Sequence, residues 1–333
     1  MASVREIAKE AGVSITTVSR VINNHPRVSE KAKSKVLNAM NTNRYVAKVG
    51  RKSTTNIAFV YTGESSLGSP YDAALMQGMA AGMDEFGFDL MILDARRAKL
   101  PHETYTQMFM RKGVRGAVLR TTTNTRHVCQ TIADEGFPSV VLGDHFDTPN
   151  VNFIYSDSFA SSQEATSHLL ELGHKRIAIG INVIDDSDHA DRVHGYRTAF
   201  ESHNLPVDER NIIRTPAYRE GGMQLIRRIM SMSPRPTAMY LTDPITVVGA
   251  MQEAHKMGIK IPDDLSIVGF DDGELRYYVY PQLTAVCQNA NEIGLEAFRV
   301  LHEKLQNPND KIAVKKALPT WLEIHDSTGP CNQ

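Results

Sequence analysis

Val4-Arg5-Glu6-Ile7-Ala8-Lys9-Glu10-Ala11, then Gly12-Val13-Ser14, then Ile15-Thr16-Thr17-Val18-Ser19-Arg20-Val21-Ile22-Asn23-Asn24: this stretch reads as two short amphipathic helices across a three-residue turn. Apolar residues at 4, 7, 8 and 11, and again at 15, 18, 21 and 22, recur at helical spacing and leave one face of each helix to bury. Gly12 stands where the turn requires a left-handed backbone, and Ser14 is placed to cap the second helix. Helices this short are not stable alone. The segment from Ser29 to about Asn41 supplies a third, with Val28, Ala32, Val36, Leu37 and Met40 as its apolar stripe. The unit is a helix-turn-helix, the motif that lays its second helix in the DNA major groove.

Charge supports that reading. Residues 1–53 carry 11 Lys/Arg against 3 Asp/Glu, a net of +8, while the other 26 basic and 35 acidic residues leave −9. A small basic domain suits the phosphate backbone, where neutralisation releases counterions. The acidic remainder does not. The spacing places Ile15, Thr16 and Arg20 on the exposed face of the second helix as base readers, with Arg20 the guanine reader. Ser3 at the start of the first helix, Thr17, Ser19 and Asn23 are expected to hold phosphates and fix register.

The run from Val4 to Asn24 resembles the headpiece of the lactose-repressor/galactose-repressor (LacI/GalR) family. The resemblance continues in family order through Gly173-His174-Lys175-Arg176-Ile177-Ala178, Arg192-Val193-His194-Gly195-Tyr196-Arg197, Ile261 to Asp272, Leu283-Thr284 and Ser327-Thr328-Gly329. It implies a periplasmic-binding-protein-like (type I) α/β core of two doubly wound parallel-sheet lobes behind a small all-α headpiece. It further implies an operator-binding regulator, usually a repressor, controlled by a small-molecule effector between the lobes.

Composition bounds the same answer. A chain of 333 residues has room for a headpiece and two medium domains, and 41% hydrophobic with 23% charged residues is ordinary for a globular protein. No apolar run approaches membrane-spanning length, and the first helix lacks a secretory apolar core, so a cytoplasmic location without membrane partners is expected. Cys129, Cys287 and Cys331 are widely separated and indicate neither a disulfide framework nor a metal site.

After residue 56 short apolar strands alternate with helical stretches, the pattern of parallel sheets covered on both faces. The alternation breaks near Tyr155-Ser156-Asp157 and restarts with Phe159 to Leu172, Arg176 to Gly180, Gly195 to His203 and Ala238 to Leu241. The expected organisation is a headpiece over 1–45, a shortened linker over 46–55 and a core over 56–333. By the resemblance, the core crosses between lobes three times. The first lobe then takes 56–156 and 286–319, the second 157–285 and 320–333.

Ligands of open parallel sheets bind beyond the carboxyl ends of the strands. Strand-end residues are therefore the site candidates: Ser69, Tyr71, Asp72, Asp94, Arg120, Thr122 and Asp144 on the first lobe, and Arg192, Thr242, Asp243 and Asp271 on the second. Aspartates and an arginine around an aromatic ring suit a sugar. The resemblance matches Arg192 and Asp271 to effector-contacting positions and Tyr71 to an aromatic near the pocket. Thr242-Asp243 stands where many members have Asn-Asp, and Arg120 is unusual at its strand end. Arg120 either binds an acidic effector group or pairs with Asp72 or Asp144.

The linker departs most from the family. Val46-Ala47-Lys48-Val49-Gly50-Arg51-Lys52-Ser53-Thr54-Thr55 lacks the leucine that family hinges wedge into the minor groove. A flexible linker whose Lys48, Arg51 and Lys52 follow the phosphates is expected. One headpiece buries too little DNA contact for tight specificity, so a homodimer on a palindromic site is expected, and the C-terminus resembles no tetramerising heptad helix.

An enzyme would need a site, and the chain has no phosphate-binding glycine loop, Gly-x-Ser-x-Gly elbow or His-Glu-x-x-His pair. Asp185-Asp186-Ser187-Asp188-His189-Ala190-Asp191 has metal-ligand types but lacks calcium-loop spacing, and reads as a loop on a solvated cleft rim. Neither a cofactor nor a metal is called for. A solute-binding protein without regulatory role, and a regulator answering to a protein partner, remain as alternatives.

Overall fold

The computed structural model describes residues 3–22, 28–43 and 54–332. Three helices come first: α1 (Val4–Ala11), α2 (Ile15–Ile22) and α3 (Glu30–Thr42). At the start of α1 the Glu6 N–H donates to Ser3 Oγ at 3.3 Å while the Ser3 N–H donates to the Glu6 carboxylate at 2.6 Å, a capping box. The helix stops at Gly12, whose φ of 63° only glycine adopts freely. Ser14 Oγ then accepts from the Thr17 N–H at 3.0 Å and starts α2. Ile7, Val18, Val21, Val36 and Met40 close into one core, against which Met110 of the next domain also packs.

The chain continues through β1 (Asn56–Tyr61), α4 (Pro70–Phe86), β2 (Asp89–Asp94), α5 (Ala95–Ala98), α6 (Tyr105–Arg111), β3 (Gly116–Arg120), α7 (Arg126–Asp134), β4 (Ser139–Leu142) and β5 (Phe153–Asp157). It then passes to a second unit: α8 (Phe159–Glu171), β6 (Ile177–Asn182), α9 (Ser187–Ser202), β7 (Ile212–Thr215), α10 (Arg219–Ser231), β8 (Ala238–Leu241), α11 (Pro244–Lys256), β9 (Ser266–Asp271), α12 (Leu275–Tyr278) and β10 (Thr284–Cys287). It returns with α13 (Ala290–Gln306) and β11 (Lys315–Pro319), and crosses once more to β12 (Trp321–Glu323). Two six-stranded sheets result, ordered β11-β5-β4-β3-β1-β2 and β12-β10-β9-β8-β6-β7. β12 runs antiparallel to β10, and the other described pairings are parallel.

Because side chains alternate across a strand, each sheet needs an apolar cover on both faces. In β1, Ile57, Phe59 and Tyr61 pack with α4 and α13, while Ala58 and Val60 pack with α6 and α7. The second sheet repeats the plan, with Ile177 and Ile179 toward α8 and α9 and Ala178 toward α10 and α11.

The crossings set the site. The sequence reading puts the second near 286, but β10 runs on until Cys287 pairs with Asp271. The boundary falls beyond Cys287 because Thr284–Cys287 is buried as a whole strand. The first and third crossings are tied together: the Thr320 hydroxyl donates to the Asp157 carbonyl at 2.7 Å and lies 2.5 Å from the Ser161 hydroxyl. α9 also differs from the sequence reading, starting at Ser187 instead of Gly195. Asp186 caps it by accepting from the His189 N–H at 2.8 Å, so the acidic run opens a helix, where carboxylates suit the dipole.

Candidate functional site

On the headpiece, Val18 and Val21 hold α2 to the core, which turns Ile15, Thr16, Ser19 and Arg20 outward. Ile15 is 50% exposed, an apolar side chain presented to solvent, as contact with a thymine methyl would require. Thr17 is half-buried and its hydroxyl lies 2.9 Å from Ser14 Oγ, so it serves the cap first. Ser3 likewise accepts within its capping box. The exposed amino ends of α1 and α2 can meet phosphates. Asn23, Lys48, Arg51 and Lys52 lie outside the described residues, as does most of the linker.

The second candidate site lies between the lobes, where strand ends of both sheets meet. On the first lobe Asp72 is fully committed: it accepts from Tyr61 Oη at 2.7 Å, Ser66 Oγ at 2.6 Å and Arg120 Nε at 3.0 Å. Arg120 also donates to the Leu142 carbonyl at 2.8 Å and lies 4.9 Å from the centre of the Tyr71 ring. Of the alternatives open for Arg120, the structure takes the pairing with Asp72. Asp144 accepts from Arg126, from the His145 N–H at 2.8 Å and, across the cleft, from Ser187 Oγ at 2.6 Å. Burial pushes its carboxyl above the usual range. Two further contacts join the lobes, the Thr123 N–H to the Asp185 carbonyl at 3.0 Å and His145 to Asp191 at 3.5 Å.

On the second lobe the acidic run proves partly buried, which corrects the solvated-rim reading: Asp185 is exposed, but Asp188 and His189 face inward from α9. His189 stands between two carboxylates, Nδ1 at 2.7 Å from Asp186 and Nε2 at 3.3 Å from Asp243. Both nitrogens must donate, so the ring is an imidazolium. Burial opposes the charge, yet Asp186 and Asp243 hold the His189 pKa up to about 10. Burial raises Asp188 to about 7 and Asp272 to about 6. Among the described residues, no group of His, Cys, Asp and Glu could hold a metal ion.

Arg192, 5% exposed, donates to the Thr242 carbonyl at 2.7 Å and stacks 3.6 Å from the centre of the Phe270 ring. The Thr242 hydroxyl turns away to the Gly180 carbonyl at 3.0 Å, so its backbone positions Arg192. Asp271 accepts from the N–H groups of Gly273, Leu275 and Arg276 and from the Arg276 guanidinium, which anchors α12. Its neighbour Asp272 is bonded by the Gln288 amide at the second crossing. Sequence reasoning missed Asp188, His189, Asp272 and Gln288 as members of the site. The i, i+4 spacing of Asp188 and Arg192 was the available signal.

These shifts have a consequence for stability. With a folded pKa near 10 against about 6.5 unfolded, His189 contributes stability that is complete below about pH 6.5 and is lost as pH rises towards 10. Asp188, raised to about 7, costs stability progressively as pH rises from its unfolded value near 4. The melting temperature of the unliganded protein is expected to fall between about pH 6 and about pH 10, less steeply in His189→Gln. A flat profile in calorimetry would contradict this.

A helix-turn-helix headpiece carried on two α/β lobes that meet around a polar cleft defines a DNA-binding protein built on a ligand-binding fold. The chain belongs to the LacI family of bacterial transcriptional regulators. Residues 3–48 match the family described as "Bacterial regulatory proteins, lacI family", and residues 166–328 match the periplasmic binding protein-like domain. The chain is 32% identical over 338 residues to the HTH-type transcriptional regulator DegA of Bacillus subtilis (strain 168), covering 99% of each. It is 30% identical over 331 residues to the ribose operon repressor of Haemophilus influenzae, covering 97% of each. A LacI family regulator from Enterococcus faecium solved with bound ribose shares the fold, with a TM-score of 0.71 at 24% identity over 83% of this chain and 100% of that one.

Proposed function

We propose that the chain is a cytoplasmic repressor that binds a palindromic operator as a homodimer and answers to a hydroxylated small molecule, of the sugar class, held between the lobes. One observation carries the effector reading. Tyr71 Oη, Asp144 Oδ2, Asp188 Oδ1, Arg192 Nε and Gln288 Oε1 are buried without a hydrogen-bond partner. Folded proteins satisfy nearly all such groups, and a ligand rich in hydroxyls would satisfy these from both lobes at once. The Haemophilus influenzae relative named for ribose supports the same class. Because Ser187 and Asp144 join the lobes at the cleft, a ligand that favours one lobe angle would set the spacing of two headpieces. Tyr277, Tyr278 and Tyr280 stand exposed on the second lobe, Tyr280 at 95%, and support self-association there. Among the described residues, no helix is long and apolar enough to cross a membrane.

The test is a thermal-shift screen of the protein against sugars, sugar derivatives and nucleosides, followed by operator binding with each hit. A ligand that stabilises the protein and changes operator affinity supports the reading, and stabilisation without any effect on DNA opposes it. For base reading, Arg20→Ala is expected to cost about 1–3 kcal/mol and to flatten preference at one position of each half-site. Anisotropy titrations on operators substituted position by position measure this, and an equal loss on every sequence would refute it.

A further inference from the structure

The unmet hydrogen bonds of the cleft are lopsided. Three of the orphaned atoms, Asp144 Oδ2, Asp188 Oδ1 and Gln288 Oε1, are acceptors waiting for a donor, one, Arg192 Nε, is a donor, and Tyr71 Oη can act as either. The host residues Asp144, Asp188, Gln288 and Arg192 are each more than nine-tenths buried. Two of the host side chains, Tyr71 and Asp188, meet Arg120 beside Gly143: a Cβ built there would lie 2.6 Å from the Arg120 guanidinium, 3.1 Å from Tyr71 Oη and 3.5 Å from Asp188 Oδ2. Asp144 follows Gly143 directly in the chain.

Charge is lopsided in the same sense. Arg120 is held by Asp72, Arg126 by Asp144, Arg276 by Asp271 and Glu323, and His189 by Asp186 and Asp243. Asp272 is bonded by a neutral amide. Arg192 alone stands opposite both Asp188 and Asp272, so an anionic ligand would bring acceptors to a surface whose orphaned atoms are mostly acceptors and would add negative charge to buried carboxylates. A neutral polyol could satisfy the acceptors. An ammonium group would do so with charge-assisted bonds, roughly twice as strong as neutral ones, and would offset the buried negative charge.

Resting on the reading of a sugar-class effector, we infer that the cleft selects an amine-bearing polyol, an amino sugar in the simplest case. Its ammonium sits against Asp188 and Asp144, and a ring or hydroxyl oxygen accepts from Arg192 Nε. The Asp188 pKa, raised by burial, fits this arrangement, since a bound cation would restore the ionised carboxylate.

The experiment is calorimetric titration of the full chain with matched triplets: glucose, glucosamine and glucuronate, and the corresponding galacto and manno series. At least one amine-bearing member is expected to bind roughly tenfold or more tightly than its neutral parent, with no binding by the acids. In Asp188→Asn, and separately in Asp144→Asn, the amine-to-parent ratio is expected to fall towards one. A neutral parent that binds as tightly as its amine, an acid that binds, or a panel without an amine-bearing binder overturns the inference. If a neutral sugar or an acid is the binder, the sugar-class reading survives. If none of the nine binds, the amine inference falls alone, and the sugar-class reading is decided by the wider thermal-shift screen.

Discussion

Gly78→Ala is expected to lower the melting temperature by roughly 6–12 °C. α4 and α13 cross with their backbones in contact. A Cβ at Gly78 would lie 1.8 Å from the Asn291 carbonyl oxygen, and one at Gly294 would lie 2.0 Å from the Leu75 carbonyl oxygen. Both obstacles are main chain and cannot rotate aside, so the helices must separate and open the core formed by Phe59, Leu75, Met79 and Phe298. Overpacking in close-packed interiors costs about 1–3 kcal/mol and more where the backbone must move. Alanine's better helix propensity returns only about 1 kcal/mol. A net loss of about 3 kcal/mol, at about 2–4 °C per kcal/mol for a domain of this size, gives the stated shift. Gly68→Ala is the control, because a Cβ there meets open space. A shift below about 2 °C for Gly78→Ala would show that the helices part freely.

Arg192→Ala is expected to weaken effector binding by about 30-fold or more. The guanidinium is held on two sides, by the Thr242 carbonyl at 2.7 Å and by the Phe270 ring at 3.6 Å, and leaves Nε directed at no protein group. Removing it takes away an unspent donor of the cleft and the cation that acts most strongly on Asp188. Truncating one member of a buried charged pair costs about 2–5 kcal/mol. The readout is calorimetry with any ligand that stabilises the wild-type protein, alongside operator binding without ligand. A loss under threefold would place the effector elsewhere.

The headpiece was legible because short-range signals agree there: the 3.6-residue apolar spacing, Gly12 at the turn and Ser14 at the cap describe structure made within a few residues. The lobes were legible from apolar strand runs such as Asn56–Tyr61, since parallel strands buried on both faces admit few polar residues. The cleft was harder. Asp72 and Arg120 lie far apart in the chain, and no local pattern reveals that each satisfies the other. Asp186 to Asp191 looks like a loop because Asp, Ser and His are weak helix formers, yet one capping aspartate and the charge of His189 turn the run into the first turns of α9. Asp271 and Asp272 differ by a single position, and only the turn into α12 decides that the first anchors backbone while the second reaches Gln288. Long-range pairing of charges, unlike periodicity, leaves no local trace in a sequence.

The most direct measurement is selection of bound duplexes from a random pool by the full chain, followed by equilibrium titration of the best sequence. Enrichment of one two-fold symmetric site, bound by two chains, is the expected result. An asymmetric site bound by one chain, or no enrichment over random duplex, would contradict the account.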